Sequence, residues 1–186
     1  MAQDNKETEI KIEITADRDE FEKKVLALNP VVSEEVLERT IRFDTPTEDL
    51  RQKGIFVRVR SGFKNVWTVK QKIEGVADAD KYRQRNEWEI EIEDLEKARQ
   101  MLKTLGFDKE LIMEKYRKKF TLPKAEIVID RLPFGTYAEI EAEKDEIERL
   151  TELLGIDPTR TTVLTYWHLH DDYNKANGLT DENIVF

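Results

Sequence analysis

Hydrophobic and polar positions alternate with period two along eight stretches of the chain: TEIKIEI, TIRFD, IFVRVRS, NVWTVKQK, NEWEIEIED, EKYRKKFTL, EIVIDRL and TYAEIEAE. Successive strand side chains point to opposite faces, so each stretch predicts a strand with one apolar face and one charged face. Turn-forming residues such as Ser61-Gly62 and Leu132-Pro133-Phe134-Gly135 separate several of them. A helical period appears in 17–28 (Phe21, Val25, Leu28, with Pro30 beyond), in 95–105 (Ala98, Met101, Leu102, then Gly106) and in 145–154 (Ile147, Leu150, Leu154, then Gly155). A fourth helix is expected to start near Thr161 and carry Leu164, Trp167 and Leu169. Residues 74–80 read as a long loop, and the tail after Tyr173 lacks periodicity and is expected to be mobile. These elements predict a single domain over 1–186 with its core in 6–173: a β-rich protein with peripheral helices.

The charged faces are sorted by sign. Glu7, Glu9, Lys11 and Glu13 share one face of the first strand opposite Ile10, Ile12 and Ile14. Arg58 and Arg60 oppose Val57 and Val59, Lys70 and Lys72 oppose Val69, and Lys115, Arg117 and Lys119 share a face. Acids collect as Glu87, Glu89 and Glu91 in one strand and as Glu139, Glu141 and Glu143 in another, with Asp130 beside Val128.

Composition narrows the partners. Charged residues make up 38% of the 186, above the usual ~25%, so the faces hold more charge than solubility asks for. A net charge of −9 argues against a protein that coats nucleic acid or anionic membrane, since both need a cationic footprint. The absence of cysteine excludes disulfides, thiolate nucleophiles and zinc-thiolate sites. With neither a basic-then-apolar leader nor an apolar run of about 20 residues, a cytoplasmic location is expected.

On an open sheet the charged faces would be wet, and cross-strand ion pairs would add only ~0.2–1 kcal/mol each. In a closed sheet they would line a polar lumen, with helices over the greasy outside. Like charges gathered in such a channel call for compensating ions: a polyanion for the cationic rows, a divalent cation for the acidic ones. Carboxylate oxygens suit Mg²⁺ or Mn²⁺, and alternate arginines offer bidentate forks to phosphoryl oxygens.

Glu7-Thr8-Glu9-Ile10-Lys11 resembles the ExExK signature of the CYTH superfamily, the triphosphate tunnel metalloenzymes. In the same order, Phe43-Asp44-Thr45-Pro46 resembles the family's post-strand turn, Arg58-Val59-Arg60 its RxR, Thr68-Val69-Lys70 its lysine strand and Arg85-Asn86-Glu87-Trp88-Glu89 its RxExE. Lys115 to Lys119, Asp130-Arg131-Leu132 and Glu139-Ile140-Glu141 follow, so the resemblance spans about residues 6–170. It implies an α+β fold: a closed eight-stranded antiparallel β-barrel, or tunnel, with a polar lumen and helices packed outside. It implies Glu7, Glu9, Glu139 and Glu141 as metal ligands for Mg²⁺ or Mn²⁺. Lys11, Arg58, Arg60, Lys70, Lys72, Arg117 and Lys119 would be triphosphate contacts, and Glu87, Glu89 and Asp130 supporting lumen acids. A plugging-helix lysine found in some family phosphatases has only Lys175 as a counterpart.

The leading expectation is metal-dependent hydrolysis of inorganic triphosphate or a small organic triphosphate such as thiamine triphosphate, with Lys70, Glu139 and Glu141 catalytic and Lys70 a candidate base. The alternatives are a class IV adenylyl cyclase, which forms cyclic AMP and pyrophosphate from ATP, and a non-catalytic polyphosphate- or nucleotide-binding module. The partner expected is a small-molecule triphosphate, with no nucleic acid and no membrane, and the protein a monomer or homodimer. His168 and His170, two apart, are not read as a metal pair, and Trp67, Trp88 and Trp167 are read as packing residues. Glu143 to Glu146 reads as an acidic, solvated helix start.

Overall fold

The computed structural model describes residues 6–14, 18–76 and 78–186. In chain order the elements are β1 (Lys6–Glu13), α1 (Arg18–Leu26), β2 (Val31–Val32), β3 (Val36–Asp44), α2 (Asp49–Gln52), β4 (Ile55–Ser61), β5 (Val66–Lys72), β6 (Arg83–Glu91) and α3 (Leu95–Thr104). There follow β7 (Lys109–Leu122), β8 (Ala125–Leu132), β9 (Gly135–Ala142), α4 (Lys144–Leu154), a 3₁₀ turn (Pro158–Arg160), β10 (Thr161–Thr162) and α5 (Tyr166–Asn177). Eight antiparallel strands pair in the order β1-β6-β5-β4-β3-β7-β8-β9, and β9 returns to β1 through Glu9↔Glu141 and Lys11↔Glu139, closing the barrel. β2 and β10 are short additions on β7 and β1. No described helix is long and apolar enough to cross a membrane.

Parity explains why the sheet closes with its charges inside. The apolar faces of β1, β8 and β9, through Ile10, Ile12, Ile127, Ile129 and Ile140, pack against Val25 of α1 and Ile147, Leu150 and Leu154 of α4. Ile41, Phe43, Val57 and Val59 pack against Ala98 and Leu102 of α3. Each such buried aliphatic contributes about 1.5–3 kcal/mol. With the greasy faces covered from outside, the ionic faces have only the lumen left.

Local chemistry sets the helix ends. Asp94 accepts from the Lys97 amide (2.8 Å) to start α3, and Gly155, at φ 64°, takes the left-handed conformation that ends α4. The first helix begins at Arg18, and Asp17 lies outside the described residues. The helix expected near Thr161 begins later. Thr161 and Thr162 pair with Ile12 and Lys11 of β1 instead, and Thr165 caps α5 by accepting from the His168 amide (3.2 Å).

The tail expected to be mobile is docked. α5 continues to Asn177, and the chain then returns to β7, where Ile184 is buried and exchanges backbone hydrogen bonds with Ile112 (2.9 Å) and Glu114 (2.6 Å). Phe186 packs edge-on against Tyr116 at 5.2 Å. The cause is the length of β7: its pairing with β8 begins only at Tyr116, which leaves the 112–114 edge open to another segment.

Candidate functional site: the ionic tunnel

The lumen holds a cavity of about 270 Å³. Eight basic side chains line it: Lys11, Arg58, Arg60, Lys70, Arg83, Lys115, Arg117 and Lys119. Seven carboxylates line it as well: Glu7, Glu9, Glu87, Glu89, Glu126, Glu139 and Glu141. Asp130 lies behind this lining, fully buried. The structure does not bring Lys72 into the group. Although it has the parity of Lys70, β5 ends there, and its half-exposed ammonium meets Glu74 (3.4 Å) outside the cavity. Glu13 and Glu91 also have lumen parity and are exposed beyond the ends, Glu91 pairing with Lys64.

Where it is most buried, the lumen holds a knot of paired charges around Asp130 and Glu139. Arg117 grips Asp130 with Nε (2.7 Å) and Nη2 (2.5 Å) and reaches Glu139 with Nη2 (2.5 Å). Lys115 (2.8 Å) and the Tyr166 hydroxyl (2.8 Å) donate to the same Asp130 oxygen, and Lys11 donates to Glu139 (2.6 Å). Burial alone would push both acids up. The adjacent cations outweigh it, Arg117 then Lys115 for Asp130 and Lys11 then Arg117 for Glu139, so both carboxyls sit below their ordinary range and Glu139 well below. Tyr166, at the start of α5, also places its ring 4.5 Å from the Lys11 ammonium and 5.1 Å from that of Lys115. In this way the start of the helix lines the lumen.

Around the wall the pairing is looser. Lys70 donates to both oxygens of Glu7 (2.6 and 2.7 Å) and lies 3.0 Å from Glu87, so its ammonium is engaged as a donor. Arg83 reaches Glu9 (3.1 Å). Arg58 bonds Thr68 (3.2 Å) and approaches Glu87 and Glu89 only to 3.8 Å, while Arg60 meets Glu89 at 3.4 Å. These guanidiniums retain donor capacity for an anion.

Glu141 stands apart. On the backbone it lies directly opposite Glu9 on one side and Glu126 on the other. Its carboxyl is pushed up to about 8, first by the protein crowding it and then by the charges of Glu7, Glu87 and Glu9, against which Lys70 acts. Water at the exposed side chain tempers the crowding but does not reverse the direction.

Hard oxygen donors are what Mg²⁺ or Mn²⁺ takes, and like-charged carboxylates held side by side favour a cation between them. As the side chains stand, no group of three or more His, Asp or Glu is gathered closely enough among the described residues to hold a metal. Glu7, Glu9 and Glu139 are each held by a cation. The donor chemistry of the predicted ligands fits a hard divalent ion, provided those ion pairs open.

Several residues in the lining or buried behind it went unread in the sequence. Glu38 (2% exposed) and Arg83 lie on β3 and β6 just before the stretches read as strands, and continuing the alternation backwards through Thr40 and Glu87 reaches both. Glu126 precedes Val128 and Asp130 on the same face. Asp44 serves structure: its carboxylate accepts the Thr45 (2.8 Å), Leu50 (2.9 Å) and Arg51 (3.1 Å) amides, fixing the turn into α2. His168 bonds Thr165 and His170 is buried against Phe134, both within α5. Trp67 packs under α3 as expected, whereas Trp88 is exposed and Trp167 lines the cavity. Lys175 is exposed and pairs with Asp172, away from the tunnel.

Comparison with curated protein sequences gives no match. Among solved structures, a candidate adenylate cyclase from Vibrio parahaemolyticus superposes with a TM-score of 0.77 at 21% identity, over 91% of this chain and 99% of that one. A Pyrococcus horikoshii OT3 protein gives 0.69 at 25% identity, over 89% and 98%. A candidate adenylyl cyclase from Hippeastrum, described as having a dominant triphosphatase activity, gives 0.59 at 18% identity, over 94% and 97%. The family model of the CYTH domain matches residues 5–157. The chain belongs to the CYTH family.

Proposed function

We propose that this protein is a metal-dependent triphosphatase acting on inorganic triphosphate or a small organic triphosphate. One observation carries the reading: basic side chains from five strands converge on a single cavity inside the barrel in which almost every charge is already paired. A lumen so balanced takes up a polyanion only by exchanging internal ion pairs for external ones, and the acids set free then need a cation. A phosphate chain with Mg²⁺ or Mn²⁺ satisfies both sides at once.

Arg58, Arg60 and Lys70 would hold the non-reacting phosphates, with Lys11, Arg117 and Lys119 completing the grip. Glu7, Glu9, Glu139 and Glu141 would hold the metal, whose contribution is to neutralise charge on phosphoryl oxygens. Phosphoryl transfer asks mainly for positioning and electrostatic stabilisation, which a rigid barrel of fixed charges supplies. Lys70, engaged with Glu7 and Glu87, is assigned to the grip.

Size and lining favour hydrolysis of a small triphosphate over cyclisation of a nucleotide. About 270 Å³ falls below the ~300–1,000 Å³ typical of pockets for larger ligands. Of the aromatic members, Phe56 and Tyr166 lie against Arg58, Lys11 and Lys115, and Trp167 packs on the cluster of Met113, Leu132, Tyr137 and Ile184, so the three do not frame one apolar slot for a base.

The test is to offer triphosphate, thiamine triphosphate and ATP to the purified protein with Mg²⁺ or Mn²⁺ and to quantify phosphate, pyrophosphate and cyclic AMP. Metal-dependent phosphate release is expected, and it should collapse in a Glu139→Gln, Glu141→Gln double variant. Cyclic AMP from ATP would establish the cyclase instead, and binding without turnover a non-catalytic module.

A further inference from the structure

Glu38 has no place in the scheme above, and its surroundings are unusual. The residue is 2% exposed, and its Oε2 is buried with no hydrogen-bond partner. Three cationic nitrogens surround that one oxygen: Arg60 Nη1 at 3.6 Å, Arg117 Nε at 3.6 Å and Lys115 Nζ at 3.9 Å. Charge-assisted hydrogen bonds close to about 2.7–2.9 Å, and none of the three has closed on this oxygen: Arg117 Nε and Lys115 Nζ donate to Asp130 instead, at 2.7 and 2.8 Å. An unpaired buried acceptor is costly, and here only longer-range attraction offsets the cost. Although burial pushes the Glu38 carboxyl up, Arg117, Lys115 and Arg60 bring it below its ordinary range and keep it ionised. The space is also reserved in the backbone. A side chain at Gly62, which sits at φ 153°, would place its Cβ 2.8 Å from Glu38 Cγ.

Three cations arranged around one anionic oxygen make a phosphoryl-binding position, and in this protein a carboxylate of the chain itself fills it. We infer that Glu38 is a specificity-determining residue: it occupies the position that a further phosphoryl group would take and so limits the length of the phosphate chain the tunnel accepts. The inference rests on the triphosphate reading of the tunnel. The physical basis is repulsion between like charges at close quarters where water is excluded. A fourth phosphate drawn from the cavity toward Arg60, Lys115 and Arg117, which line it, would have the buried Glu38 carboxylate directly behind them as a competitor for the same cations.

The test is isothermal titration of the metal-free protein with linear triphosphate and tetraphosphate, so that no turnover intrudes. The parent should prefer triphosphate. Glu38→Gln, which keeps the shape and removes the charge, should gain about tenfold in tetraphosphate affinity relative to triphosphate, as expected when a buried like charge is removed. An unchanged ratio in Glu38→Gln, including an equal tightening of both anions, overturns the inference. Should Glu38→Gln fail to fold, Glu38→Asp draws the charge back by one methylene. It should then shift the ratio toward tetraphosphate, and an unshifted ratio counts equally against the idea. A parent that binds neither anion, metal-free or with Mg²⁺ present, overturns the triphosphate reading itself, a result distinct from a parent that binds triphosphate and a variant whose ratio is unchanged.

Discussion

The two ends of the tunnel solve the same electrostatic problem in opposite ways. Around Asp130 every donor meets an acceptor: Arg117, Lys115 and Tyr166 converge on one carboxylate and Lys11 secures Glu139. Around Glu141 the acids face acids, with Glu9 and Glu126 directly across the strands, and its carboxyl is pushed up to about 8. The closed end therefore contributes to folding and holds cations in place, while the acidic end is left under-compensated. A protein selected only for stability would pair both ends. The difference marks the acidic end as the place where an external cation is needed.

Breaking the satisfied end should give the largest effect. Asp130→Ala leaves Arg117 and Lys115 buried without their shared partner, a change that costs about 3–5 kcal/mol. At 2–4 °C per kcal/mol for a chain of this size, that lowers Tm by about 10 °C, measurable by calorimetry. The acid limb should change too. Because Asp130 and Glu139 titrate below their ordinary values of 3.8 and 4.5, their stabilisation is fully present above about pH 4.5 and is lost as pH falls through the folded values. Asp130→Ala should flatten part of that limb. On the binding wall, Arg58→Ala should weaken triphosphate affinity by about 10- to 100-fold, the range for a lost charged hydrogen bond of ~1.5–3 kcal/mol, with a much smaller change in Tm.

Much of this contrast was legible in the sequence, because parity in a strand is a physical constraint. Once Val57 and Val59 must face a helix, Arg58 and Arg60 must face away from it, and the same reasoning placed Glu7, Glu9, Lys11, Lys70, Arg117, Glu139 and Glu141 on one common surface. Parity gives the face but not the depth. It could not separate Lys70 from Lys72, or Glu89 at the cavity from Glu91 beyond it, because depth depends on strand register and barrel shear. Glu38 was hidden by the adjacent Leu37 and Arg39, an exposed leucine and a charge on the outer face that blur the alternation where β3 begins. The docked tail could not be read locally at all, since Ile184 is held by an edge of β7 that exists only because β8 is shorter.

The acidic end yields a smaller effect of opposite sign. Glu141 is raised to about 8 from an ordinary 4.5, so the folded state retains a proton that the unfolded chain releases. In metal-free protein this lowers stability progressively as pH rises from 4.5 to about 8. Glu141→Gln should therefore raise Tm at pH 8–9 and leave it unchanged near pH 4.5. Discounted for solvent at the exposed side chain, the gain is about 1 kcal/mol, or ~2–4 °C. A penalty at high pH in place of a gain would mean that Glu141 has a cationic partner after all, and the two ends would cease to differ.

The smallest effect tests whether depth, and not parity, defines the site. Lys70 and Lys72 lie two residues apart on the same face of β5, yet only Lys70 lines the cavity, held by Glu7 and Glu87. Among the described residues, Lys72 forms an ion pair only with the largely exposed Glu74, worth at most ~0.5 kcal/mol. Its backbone amide donates to Gly54 (2.9 Å), a bond that alanine keeps. Lys72→Ala should thus leave Tm and triphosphate affinity within about twofold of the parent, the equivalent of ~0.5 kcal/mol, while Lys70→Ala weakens binding by tenfold or more in roughly the manner of Arg58→Ala. If the two lysine variants lost affinity equally, the cationic surface would have to extend past the end of β5, and an anion bound there would reach beyond the cavity.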